Sequence, residues 1–301
     1  MSTHILYYTV LFFFKSLAIL PLRALYVLSD FAAWFLHRIV RYRRKVIRDN
    51  LAQCFPEKSE AERKKIECDF YRNFADSFVE TVKLLHISDK EMSRRMTFDN
   101  TELIDELTAA GKSIVVYFSH CGNWEWAPSV TLHTSTPGVE YCQVYRPLRN
   151  KVFDRLMLHV RSRFGSVSFQ KSKVFRDLFR LKAKGTVTVT GFMSDQKPSH
   201  GDPTFVTMFL NRPTAFITGT ETLATRLGMA AIYWDMERLS RGHYRIVCRL
   251  LDDGTHQCRQ GELTYKYSRM LEQTIRRNPS IWLWSHKRWK YKVDIEQITQ
   301  I

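Results

Sequence analysis

Apolar and polar positions divide this chain into two regimes. From Ile5 to Phe14 no residue is charged, and apolar character resumes from Leu17 to Leu28 around Pro21 and Arg23, with Lys15 between the two runs. A transmembrane helix needs about 20 predominantly apolar residues. The segment therefore spans a bilayer only if Lys15 snorkels, and otherwise lies within the interface. No small-residue cleavage site is evident, so an uncleaved anchor is expected. Beyond a turn-rich link over 50–56, Ser59 and Glu62 form a capping box that predicts a long helix to about Leu85. Its apolar face carries Phe70, Phe74, Phe78, Val82 and Leu85.

From Asp99 onward the period alternates. Apolar, β-branched runs predict strands near 113–119, 139–145, 186–192, 230–235 and 244–250. Amphipathic stretches predict helices near 101–110, 150–163, 172–183, 214–227 and 261–277. That order argues for an α/β fold, a central mixed β-sheet covered by helices behind an N-terminal helical membrane-anchoring region. With neither repeats nor a low-complexity linker, we expect two units: 1–48 as anchor and basic juxtamembrane segment, and 49–301 as one catalytic domain.

Charge narrows the partners. The net charge of +16 is spread from Arg38 to Lys292 and implies an acidic partner, whether nucleic acid, an anionic membrane, a phosphorylated ligand or an acidic protein. Arg38, Arg41, Arg43, Arg44, Lys45 and Arg48 directly follow the apolar segment, as expected on the cytoplasmic side of an anionic bilayer. No RNP motif or paired Cys/His finger is present, which disfavours nucleic acid. The six cysteines form no C-x-x-C pair and no Cys/His cluster, so they read as reduced thiols, with no zinc site.

Candidate chemistry concentrates in His120-Cys121-Gly122-Asn123-Trp124-Glu125, directly after the run Ile114–Phe118. A histidine near a carboxylate is the minimal apparatus for taking a proton from a hydroxyl, the acid fixing the tautomer. The alternative is that His120 caps a helix whose first turn holds Glu125. Cys121 is read as structural, since nucleophile and base normally meet through the fold rather than in sequence. Gly111-Lys112-Ser113 fails as a P-loop, because Glu106 stands where a glycine is needed and the segment precedes a strand. G-x-S-x-G, H-E-x-x-H and G-x-G-x-x-G are all absent.

Several blocks taken together carry a resemblance. They are Asn50-Leu51-x-x-Cys54-Phe55-Pro56-Glu57-x-Ser59-x-x-Glu62-Arg63, His120-x4-Glu125, Tyr145-Arg146-Pro147, Met193-Ser194-Asp195-Gln196, and Trp284-Ser285-His286-Lys287-Arg288-Trp289-Lys290. In order and spacing the chain resembles, over nearly its whole length, the late acyltransferases of lipid A biosynthesis, the lauroyl/myristoyl type of the lysophospholipid acyltransferase superfamily. The resemblance implies a glycerolipid acyltransferase-like fold. It also implies transfer of a fatty acyl chain from acyl carrier protein to a hydroxyl of a phosphorylated lipid A precursor, at the cytoplasmic face of the bacterial inner membrane. No cofactor or metal is implied.

On that reading His120 is the base and Glu125 orients it. Arg146 stabilises the oxyanion or grips a phosphate, and Asn123 serves the same site, positions the loop or caps a helix. Asp195 orients a catalytic or acceptor group, or caps the turn before Pro198. Arg149, Arg288 and Lys290 are candidate substrate or membrane contacts, with Lys151, Arg155, Lys171, Lys173 and Arg176 as further basic positions. Trp282, Trp284 and Trp289 are read as packing. Two other outcomes stay open: the same dyad acylating another membrane lipid, and a non-catalytic lipid-binding protein.

Overall fold

Ile114–Phe118 is buried at every position, the pattern of a strand covered on both faces. It is the middle strand of a seven-stranded sheet. The computed structural model describes residues 3–255 and 258–291, together with 293, 296 and 298. The N-terminal part comprises α1 (Thr3–Ile19), α2 (Leu22–Trp34), a π-turn (Phe35–Ile39), α3 (Arg44–Cys54) and α4 (Glu60–Lys83). Next come α5 (Asp89–Arg95), β1 (Met96–Asp99), α6 (Glu102–Ala109), β2 (Ile114–Phe118), a 3-10 helix (Trp124–Leu132), β3 (Glu140–Tyr145), α7 (Lys151–Arg161) and β4 (Val167–Gln170). The remainder comprises α8 (Val174–Ala183), β5 (Thr188–Met193), β6 (Thr204–Phe209), β7 (Arg212–Ile217), α9 (Gly219–Leu227), β8 (Ala230–Ser240), β9 (His243–Asp252) and α10 (Glu262–Arg277).

Strand order is β1-β9-β8-β2-β5-β3-β4, and β6 pairs β7 as a separate hairpin. Every pairing in the large sheet is parallel except β8 with β9. The α/β class with a central mixed sheet is therefore as expected, and the expected strands fall on β2, β3, β5, β8 and β9. The helix expected over 214–227 is corrected: its first residues belong to β7, and α9 begins only at Gly219. The turn of the β6–β7 hairpin is Leu210-Asn211, both with positive φ, a conformation two-residue hairpins need but rarely build from leucine.

The long helix α4 ties the N-terminal helices to the sheet. Its capping box is formed as expected, with the Ser59 side chain accepting from the Glu62 amide. Its inner face carries three buried acids, Glu67, Asp76 and Glu80, each answered by other elements. Glu67 accepts from Arg44 and Arg48 and contacts His37. Asp76 holds Arg238, Arg241 and Ser29. Removing one partner from such a buried pair costs about 3–5 kcal/mol, because the other charge is left dry. Near the end of α4, Lys83 donates to the carbonyls of Ala18 and Leu20, capping the break where α1 turns into α2.

No single helix is long and apolar enough to cross a membrane among the described residues; the pair Thr3–Ile19 and Leu22–Ile39 qualifies only jointly and is bent by 113°. Phe12, Phe13, Val27, Phe31 and Trp34 project outward from it. α3 runs across the boundary expected at 48/49, and Leu22, Leu25, Ile47 and Leu51 share the main hydrophobic core. Of the basic cluster, Arg43 donates to the Ser285 carbonyl, and Arg44 and Arg48 are consumed by Glu67.

Candidate active site

Parallel pairing of β2 with β5 places Phe118 beside Met193. Carried two residues past the strand ends, the same register sets His120 opposite Asp195. Both stand at the carboxyl edge of the sheet, where open α/β sheets hold their ligands. Asp195 Oδ1 lies 2.7 Å from His120 Nδ1, and Asp195 Oδ2 accepts from the His120 amide at 3.1 Å and from the Trp282 indole N–H at 2.9 Å. Burial pushes the Asp195 carboxyl up, but the His120 ring and these hydrogen bonds outweigh it and hold the group below its ordinary value. Because the carboxylate accepts, Nδ1 carries the ring proton and Nε2 keeps its lone pair, where the Gln196 amide donates at 3.1 Å.

The loop between His120 and Glu125 is held from three sides. Gly122 has a φ of +57°, and a Cβ there would meet the Tyr244 ring at 3.1 Å, so the turn takes glycine alone. Cys121 pairs with Trp282 in an antiparallel bridge, and the Gly122 amide donates to the Ile281 carbonyl at 3.0 Å. Asn123 donates to the fully buried carboxyl of Glu80 at 2.9 Å, which also accepts from Tyr26 and Tyr244. The Trp126 indole donates to the Glu80 carbonyl at 3.0 Å. Burial pushes the Glu80 carboxyl up to about 7 despite these donors.

Glu125 is not the partner of His120. The 3-10 helix that starts at Trp124 turns it toward α7, where Arg161 Nε and Nη2 grip its two oxygens at 2.8 and 2.5 Å. The acid expected to orient His120 is therefore replaced by Asp195, which the sheet register delivers and sequence proximity did not suggest. Asn123 makes no side-chain cap on the 3-10 helix and is committed to Glu80, so it positions the loop and is not free for an oxyanion or phosphate. Cys121 is buried, and burial pushes its thiol up, away from a nucleophilic thiolate.

Arg146 and Arg149 sit exposed on the loop after β3, and no described contact joins Arg146 to the dyad. Its placement does not bear out an oxyanion role. Arg155 stacks on the Tyr7 ring at 4.0 Å and so fastens α7 to α1, while Lys171 pairs with Asp202. Lys290 is exposed beside Tyr291, but Arg288 is buried, so it is not a membrane contact. Trp282 does more than pack, since it serves Asp195; Trp284 is core, and Trp289 donates to Thr214.

Beside the dyad loop runs a groove of about 570 Å³, within the range of small-ligand sites. Phe14 and Leu17 of α1, Phe78 and Val82 of α4, Leu85 in the turn just past it, and Phe153, Leu156 and Met157 of α7 form its apolar walls. Asn123, Trp124, Glu125, Ser285 and His286 form its polar end. Trp124 meets the His120 ring edge-on at 5.0 Å, linking groove to dyad. Burial pushes His286 down to about 4, so it is neutral and accepts from the Lys197 amide. A larger cavity of about 740 Å³ lies under the π-turn, but Arg238 and Arg241 on its wall are already paired with Asp76.

Comparison with known proteins gives the family. Residues 1–291 match the family described as bacterial lipid A biosynthesis acyltransferase. The chain is similar to the lipid A biosynthesis lauroyltransferase of Escherichia coli (strain K12), 25% identical over 254 residues, covering 84% of this chain and 81% of that protein. It is similar to the palmitoleoyltransferase of the same strain, 22% identical over 256 residues, covering 83% of this chain and 80% of that protein. A lipid A biosynthesis acyltransferase of Haemophilus influenzae is 29% identical over 157 residues, covering 52% of this chain and 48% of its own.

Proposed function

Because the chain belongs to the bacterial lipid A biosynthesis acyltransferase family, we propose that His120 and Asp195 transfer a fatty acyl chain from acyl carrier protein to a hydroxyl of a phosphorylated lipid A precursor. The observation that carries this is a histidine with one ring nitrogen 2.7 Å from a buried carboxylate and the other 3.1 Å from the Gln196 amide, next to an apolar groove. A thioester tail in the groove brings its carbonyl to the polar end. His120 Nε2, once Gln196 yields its place, removes the proton of the acceptor hydroxyl while Asp195 stabilises the imidazolium. The alcohol oxygen bonds to the thioester carbon, the tetrahedral intermediate collapses, the C–S bond breaks, and the imidazolium returns its proton to the leaving thiolate. No enzyme nucleophile is required.

The aromatic N-terminal helices support attachment to an anionic membrane, with the basic surface that follows them on the cytoplasmic face of the inner membrane. Mass spectrometry of lipids from a deletion strain tests the reading. Loss of one secondary acyl chain from lipid A is expected, restored by the wild-type chain and not by His120→Ala. Intact lipid A with another lipid class under-acylated would overturn the acceptor, and no lipid change would overturn the enzyme.

A further inference from the structure

Two residues beyond Asp195, on the far side of the turn at Gln196-Lys197-Pro198, is a second, smaller cavity of about 210 Å³. Lys197, His200, Thr204, Thr214, Arg288 and Trp289 line it, and among the described residues none that lines it is acidic. Arg288 is only 4% exposed. It donates to the Ala215 carbonyl at 2.6 Å and lies 4.8 Å from the Phe216 ring centroid, and its Nε has no hydrogen-bond partner among the described residues. A buried guanidinium normally has a carboxylate or several acceptors, because desolvation is otherwise uncompensated. The nearby carboxylate of Asp195 is already taken up by His120 and Trp282. Lys197 stands over the Tyr291 ring at 4.9 Å and, like Arg288, has no ion pair among the described residues.

We propose that this pocket is a phosphate-ester subsite, with Arg288 and Lys197 as its two cations. It rests on the reaction proposed above and names where that reaction's charged substrate portion is held. It adjoins the apolar groove, since the Lys197 amide on its wall donates to His286 on the groove's wall. Two substrates supply the same chemistry: the phosphate on the acceptor's sugar and the phosphodiester of the carrier's prosthetic arm. An unpaired guanidinium fits either by bidentate hydrogen bonding.

Steady-state kinetics on the purified full chain distinguish them. Lys197→Ala should raise KM by about ten-fold, the weight of one charge-assisted contact, with a much smaller change in kcat, and Lys197→Arg should restore it. If the effect disappears with a dephosphorylated acceptor, the sugar phosphate is the occupant. If it persists there but disappears with an acyl-pantetheine donor lacking phosphate, the carrier arm is the occupant. A loss equal with all substrates, or no change in KM, overturns the subsite. Thermal shift with inorganic phosphate reads the pocket without turnover: saturable stabilisation lost in Lys197→Ala is expected, so an inactive preparation would refute the reaction and still test the pocket.

Discussion

Asp195 Oδ1 stands 2.7 Å from His120 Nδ1, although the two residues are 75 apart in sequence. The same offset of 75 relates every paired residue of β2 and β5, so the His120–Asp195 pairing is the sheet register continued beyond its last hydrogen bonds. Asp195→Asn keeps the volume but turns one of the two accepting oxygens into a donor, so the carboxylate that selects the Nδ1–H tautomer is lost. A fall in kcat/KM of about 10²–10⁴ is expected, with the Asn variant no better than Ala. Activity near wild type in Asp195→Asn would assign the orienting role elsewhere.

Glu125 and Arg161 act as a unit apart from the dyad. Both are largely buried, so removing either leaves a dry charge at a cost of about 3–5 kcal/mol. We expect Glu125→Ala and Arg161→Ala to lower the melting temperature similarly, and the double variant to lose clearly less than their sum. Glu125→Ala enzyme that still turns over should keep the wild-type pH profile, whereas Asp195→Ala should change it. Identical profile changes in the two would restore Glu125 as the partner of His120.

What the sequence displayed and what it concealed follow from range. The apolar runs of β2, β8 and β9 and the Ser59–Glu62 capping box are local signals, and the elements form where those signals lie. The β6–β7 hairpin was hidden because Leu210-Asn211 lacks the glycine that announces such turns, and because Ala215, Phe216 and Ile217 merge with the apolar spacing of α9. His120 was legible from its place after a buried strand. Its partner was not, since Glu125 is near in sequence and Asp195 only through the register. Glu80 was missed altogether: a glutamate on a long amphipathic helix reads as solvated unless its neighbours in space are known.

Glu80 supplies a pH test. Its folded pKa of about 7 lies above the ordinary 4.5, so the folded state holds the proton more tightly than the unfolded chain. Its contribution is therefore neutral in acid and turns destabilising as pH rises through 4.5 toward 7, reaching about 3 kcal/mol beyond that. Glu80→Gln should gain stability relative to wild type between pH of about 5 and about 8 in chemical denaturation. A difference independent of pH would show that the carboxyl titrates normally. Because Asn123 hangs on this group, the variant should also lower kcat, by roughly ten-fold or less.

The groove predicts selectivity. Leu17→Trp or Val82→Trp fills part of the wall and should shift transfer toward shorter acyl chains, at roughly four-fold per methylene. Competition between acyl-carrier donors of different length, read by mass spectrometry, checks this; unchanged length preference in both variants would place the acyl tail elsewhere.

The wall that α1 contributes to this groove has a practical corollary for purification. A slot walled by Phe14, Leu17 and Phe153 meets a fatty tail and the alkyl tail of a solubilising detergent with the same apolar side chains. Long-tailed surfactants are therefore expected to compete with the donor, and apparent donor affinity should improve as the micelle is exchanged for a short-tailed amphiphile or a lipid nanodisc.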